Sequence, residues 1–126
     1  MSEIKVDTLT GKTTANDITV TVGASATAKL EQGLAKMRGR GSSDGTSLQD
    51  SFNVSSLTDT ATGRQTYNFT NNMSDNLYVG NASPGGSFCY SMAVEPAASS
   101  LSTRARNNLD AIFDTGVFVT AHGDLA

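Results

Sequence analysis

Residues 50–59, DSFNVSSLTD, alternate Phe52 and Val54 with Ser51, Asn53 and Ser55. A period of two places one face of a strand in a core and the other in water. The turn-forming run Asp59-Thr60-Ala61-Thr62-Gly63 comes next, and residues 64–70 then carry Tyr67 and Phe69 on one face. Two alternating runs joined by a short Gly-containing turn predict a β-hairpin.

Strand signals recur downstream. Residues 71–76 form a polar turn and residues 77–80 a short strand, after which Ser83-Pro84-Gly85-Gly86 is the strongest turn signal in the chain. Residues 87–95, SFCYSMAVE, are almost continuously apolar through Phe88, Tyr90, Met92 and Val94, as a central sandwich strand requires. Pro96 is expected to end that strand. Residues 97–114 read both ways: Leu101, Ala105, Leu109 and Ile112 have helical spacing, yet residues 100–106 also alternate. Residues 115–122 close the chain as a strand around Val117 and Val119. About six strands at this spacing predict an antiparallel sandwich or small barrel over residues 49–126.

The N-terminal third differs in kind. Residues 3–9 alternate through Ile4 and Val6, and residues 17–23 through Ile18, Val20 and Val22, giving two short strands with a turn at Gly11-Lys12 between them. Such a pair is too small to stand alone in water. Its apolar faces, Ile4/Val6 and Ile18/Val20/Val22, are therefore candidates for attachment to another protein. Residues 26–37, ATAKLEQGLAKM, are the best helical window, with Leu30, Leu34 and Met37 at i, i+4 and i+7. Gly33 in its middle costs about 1 kcal/mol against Ala. The stripe is narrow enough for a seam between identical helices, and it fits equally a helix packed on its own domain. Residues 38–48 begin RGRGSSDGTS and have the make-up of a linker. The expected division is an arm over 1–37, a linker over 38–48 and a β-domain over 49–126.

Composition limits what the domain can bury. Leu, Ile, Val and Phe supply 25 of 126 residues, about the level at which a chain struggles to form a core, while a net charge of −3 argues against disorder. Burying surface between subunits would help such a chain, so an oligomer is expected. The acidic balance does not suit a nucleic-acid binder, and Arg38 and Arg40 lack the interleaved aromatics of an RNA-binding arginine-rich segment. No transmembrane run and no apolar leader segment is visible, so synthesis in a cytosol is expected and the Asn-x-Ser/Thr sites at Asn53, Asn68, Asn72 and Asn81 reflect composition.

Chemistry is sparse. His122 is the single histidine, with Asp124 nearby but no second ligand at metal spacing. No GxSxG elbow accompanies it. Cys89 is expected to be a small buried thiol. Asp44, Asp50, Asp59 and Asp75 sit in or beside turns without the DxDxDG order of a calcium loop. Tyr67, Tyr78 and Tyr90 could form a sugar-stacking platform, although strand alternation favours core packing. No enzyme, cofactor or metal site is expected.

The blocks EIKVDTLTGKTT, ATAKLEQGLAKM, SFNVSS through MSDNLYV, and the closing HGDLA occur in an order that resembles fibre and appendage proteins of tailed phages, particularly marine and cyanophage types. The resemblance covers about two-thirds of the chain. It departs at Met37-Arg38-Gly39-Arg40, where relatives place a Trp-containing strand. The resemblance implies a virion structural protein assembled in the bacterial cytoplasm. It implies a homotrimer with a jelly-roll-like β-sandwich pointing outward and the N-terminal part attached to other virion proteins. It also implies a strand over residues 100–106 and a loop through Asn107-Asn108. The chain is much shorter than a typical tail fibre with its long shaft, which favours a short head appendage or a capsid decoration protein. Whether the β-domain binds a host-surface polysaccharide or only caps the particle stays open, as does attachment to head or tail.

Overall fold

The computed structural model describes residues 4–10, 18–22, 26–86 and 89–126. The turn expected at Gly11-Lys12, and Phe88, lie outside the described residues, as do the side chains of Val22 and Ala26. The chain divides into two compact units, residues 1–34 and residues 35–126.

In the first unit, β1 (Thr19–Val22) pairs antiparallel with β2 (Ala26–Lys29), Thr19 opposite Lys29 and Val22 opposite Ala26. The run of Thr and Val in β1 explains the choice, since β-branched side chains fit a pleated strand. Residues 4–10 form no strand, contrary to expectation. The helix expected over 26–37 is also absent. Its first four residues are β2, one helical turn α1 (Leu30–Gly33) follows, and Met37 begins a strand of the second unit. A short helix carrying Gly33 had little intrinsic stability to set against the ribbon at one end and burial of Met37 at the other.

The second unit is a β-sandwich of two four-stranded antiparallel sheets. One runs β4 (Leu48–Phe52), β3 (Met37–Gly41), β10 (Val117–His122), β7 (Val79–Pro84). The other runs β5 (Val54–Ala61), β6 (Arg64–Phe69), β9 (Ser100–Asn107), β8 (Cys89–Ala97). The linker expected over 38–48 is thus corrected at its start. Met37-Arg38-Gly39-Arg40-Gly41 alternates buried and exposed and lies hydrogen-bonded between β4 and β10.

The stretch 50–59 is not one strand. It breaks at Asn53, where φ is 57° and the chain passes from the first sheet to the second. Asn tolerates this left-handed conformation better than most residues. Its side chain then ties the corner. Nδ2 donates to the carbonyls of Lys36 and Asn71, each at 3.0 Å, and Oδ1 accepts from the Asn71 N–H at 2.7 Å. Phe52 and Val54, expected on one face, separate: Phe52 is exposed and Val54 buried. The expected β5–β6 hairpin forms, with Gly63 at φ 66° in its turn. Strand β7 is displaced from the expected 77–80 and runs through Pro84. Pro96 does not end β8. It sits at a bulge beside Glu95, on a strand at the edge of its sheet, where a missing N–H is tolerated. Residues 100–107 are strand β9, settling the helix–strand ambiguity for 100–106.

The inner faces meet through Met37, Val117, Val119 and Ala121 on one side and Tyr67, Phe69, Leu101 and Ala105 on the other. Tyr67 is fully buried and lies over the glycines of β3. A Cβ at Gly39 would lie 2.9 Å from its Cδ1, and a Cβ at Gly41 would lie 2.8 Å from its hydroxyl. That hydroxyl accepts the Gly41 N–H at 3.1 Å and donates to the Val117 carbonyl at 2.7 Å, linking the sheets. Gln65 continues the link by donating from Nε2 to the carbonyls of Ser42 and Thr115.

Gly41→Ala should destabilise the domain by about 1–3 kcal/mol, because the new methyl overpacks Tyr67 and Gln65. Chemical denaturation of the two proteins side by side measures it, and equal midpoints would refute the close approach. Alkaline pH tests the same site. Burial pushes the Tyr67 phenol up to about 12, against which the hydrogen bond from Gly41 acts weakly. Burial also pushes Tyr78 up to about 12. Both values are raised above the unfolded value of 10.0, so their contribution is complete below pH 10 and is lost as pH climbs towards 12. Tyrosinate absorbance from these two residues should appear together with unfolding in that window, rather than before it.

Candidate functional site

The outer surfaces of the two sheets contrast. On the sheet containing β6, hydroxyl and amide groups of β5, β6 and β9 pair with one another, while the edge strand β8 exposes Tyr90 and Met92 opposite Arg106 and Arg104. Thr66 and Ser102 hydroxyls lie 2.8 Å apart, and Asn68 Nδ2 donates to Ser56 Oγ and Thr58 Oγ1, both at 3.0 Å. On the sheet containing β3, large and polar groups stand open. Strand register sets Asp50, Arg40, Phe118 and Ser83 in one row across the four strands, and Phe52, Arg38, Thr120 and Asn81 in the next.

Phe118 stands at the middle of this surface and is 42% exposed. The Arg40 guanidinium carbon lies 4.9 Å from its ring centroid, a cation–π arrangement. Arg38 pairs with Asp50 at 3.5 Å, both side chains about 60% exposed, so that pair contributes little to stability. Arg40 has no carboxylate partner among the described residues. Three shallow hollows surround the ring. One of about 340 Å³ is lined by Arg38, Arg40, Asp50 and Thr120, and one of about 330 Å³ by Arg40, Gln49, Ser43 and the backbones of Gly85, Gly86 and Gly116. The third, about 180 Å³, is lined by Asn81, Ser83 and Thr120. Phe118 borders all three. The surface thus offers an apolar ring, two guanidiniums against one carboxylate, and hydroxyl and amide groups on every side.

The residues expected to matter are placed as follows. Ile4 and Val6 are exposed at 86% and 56%, and Val20 and Leu34 are exposed as well. Ile18 and Leu30 are half-buried, and the Ile18 carbonyl accepts the Leu30 N–H at 2.8 Å. Met37 does not share a helical stripe with Leu30 and Leu34, because it is fully buried in the core of the second unit. Tyr67 and Tyr78 are buried and cannot stack on a ligand. Tyr78 packs edge-on against Phe69, centroids 5.9 Å apart, and donates to the Ser100 carbonyl at 2.7 Å. Tyr90 is exposed, and its hydroxyl donates to Asp110. That bond raises the Tyr90 phenol and is the main cause holding Asp110 below the usual carboxylate range.

The turn carboxylates serve their own turns. Asp44 accepts from Ser42 Oγ and the Thr46 N–H, which holds it low, and Asp75 accepts from the Leu77 N–H at 2.7 Å. Among the described residues no three His, Cys, Asp or Glu side chains gather as a metal site. Cys89 donates to the Gly86 carbonyl at 2.9 Å, and His122 lies half-buried on β10 opposite Val79. Comparison with protein-family models, curated proteins and solved structures yields no match to this chain.

Phe118, Arg38 and Arg40 were not singled out as a site by sequence. The signal was present, since Met37-Arg38-Gly39-Arg40-Gly41 has a period of two once glycine is allowed to face a core. Arg40→Ala should change unfolding stability by about 1 kcal/mol or less, as expected for an exposed cation–π pair. Thermal denaturation checks this, and a loss well above that would make the pair structural rather than available.

Proposed function

We propose that this chain is a structural component of a bacteriophage particle. In this reading it is a short fibre or appendage, trimeric, attached through residues 1–34 with the sandwich pointing outward. One observation carries the reading, namely the unequal burial of the two units. The sandwich buries its own core, whereas the first unit leaves Ile4, Val6, Leu9, Val20 and Leu34 exposed. A small ribbon with uncovered apolar side chains is suited to docking on another protein or on its own copies. The sandwich has eight strands, split four and four, with the first strand beside the last. The resemblance in sequence adds the virion setting and the trimer. A capsid decoration protein would use the same architecture, attached to the head.

A second reading, a host-glycan-binding module, is favoured by the open surface around Phe118, and both can hold in one molecule. The experiment compares incorporation of tagged chains into assembling particles. A chain beginning at Ala35 keeps β3 and should fold, yet fail to join. The full chain should join, and in solution should have about three times the 13.1 kDa chain mass by light scattering. Equal incorporation of both would reverse the proposed polarity, and a folded full-length monomer would remove the trimer.

A further inference from the structure

We infer that the outer surface around Phe118 and Arg40 binds a carboxylate-bearing saccharide, a uronic- or sialic-acid unit within an oligosaccharide. The inference rests on the glycan-binding reading and names its ligand class. Three features point to it. A pyranose presents an apolar C–H face, and Phe118 supplies an exposed ring at the meeting point of three hollows. A sugar's hydroxyls each donate and accept, and the surround supplies both kinds of partner through the Asp50 carboxylate, the Asn81 amide and the Thr120 and Ser83 hydroxyls. Finally, Arg40 carries a guanidinium with no carboxylate of its own among the described residues, held over the Phe118 ring at 4.9 Å from its centroid, where it can be shared with a ligand. Guanidinium recognises carboxylate through paired, charge-assisted hydrogen bonds, which a neutral sugar does not offer.

Competing occupants fit less well. Four strands of five or six residues span a flat footprint on the order of 300 Å², small beside the roughly 800 Å² of accessible surface that each partner buries in a stable protein interface. This surface alone therefore does not hold a second copy. Nucleic acid calls for many phosphate contacts, while here Asp50 stands between two arginines on a chain of net charge −3. On the other sheet the hydroxyls and amides of β5, β6 and β9 are paired with one another, and the exposed ring, Tyr90, has its hydroxyl tied to Asp110.

The test uses the full chain on an array of uronic- and sialic-acid oligosaccharides, each printed beside its methyl ester and its neutral counterpart. Binding is expected to the acids and to be lost on the esters. Arg40→Gln should weaken it by about tenfold or more, as removal of a charge-assisted pair does. Phe118→Ser should weaken binding to the acids as well, by removing the ring against which the sugar's C–H face packs, and Ser102→Ala, on the opposite sheet, should leave binding unchanged. Equal binding to acids and esters would overturn the carboxylate assignment and leave the glycan reading standing. Binding that survives both Arg40→Gln and Phe118→Ser would move the site elsewhere. Silence across the array would overturn this inference and the glycan reading together, without touching the structural role.

Discussion

Tyr67 is the contact on which the sandwich depends. Its ring fills the space that Gly39 and Gly41 leave open on β3, and its hydroxyl joins the Gly41 N–H to the Val117 carbonyl. A chain with few large aliphatic residues has little apolar surface with which to hold two sheets together. Here one buried aromatic does so with packing and two hydrogen bonds at once, and the bonds leave its polar end satisfied, as burial demands. The nearby Gln65 amide closes on the Ser42 and Thr115 carbonyls, so the ends of β3 and β10 are held by the same cluster.

Asn53 performs the corresponding task at the other end. Its left-handed backbone turns the chain from one sheet to the other, and its amide holds the residue before β3 and the residues after β6. Both devices use polar groups where a richer core would use aliphatic ones. A consequence is that the outer surfaces are free to differ. One pairs Thr, Ser and Asn side chains along β5, β6 and β9 and exposes Tyr90 and Met92 on β8, and the other sets Arg38, Arg40, Phe118 and Asn81 in adjoining rows.

This distribution of surface underlies the functional proposals. Among its described residues the first unit exposes the apolar side chains of Ile4, Val6, Leu9, Val20 and Leu34, which suits docking. The sandwich supplies a rigid platform on which β3 and β10 hold Arg40 and Phe118 in register. A site on paired central strands keeps its geometry without loop ordering, which favours recognition of a small, stiff ligand.

The sequence by itself determined the β class, the β5–β6 hairpin and the closing strand around Val117 and Val119. Those features follow from local alternation and turn residues, which act over a few positions. It also contained β9, but only as one of two patterns, because Leu101 and Ala105 fit helix and strand spacing alike. Tertiary structure decided the rest. Met37 left a helical pattern for the core, since burial of a large side chain outweighs the propensity of a short Gly-containing helix. Residues 38–41 became a central strand because glycine, a breaker in isolation, was the residue that admitted Tyr67. The stretch 50–59 became a corner because Asn53 found three backbone partners distant in sequence. The sequence carried the period-two signal of β3 but not the Phe118 row, which is assembled from four strands whose pairing alone brings Asp50, Arg40, Phe118 and Ser83 side by side.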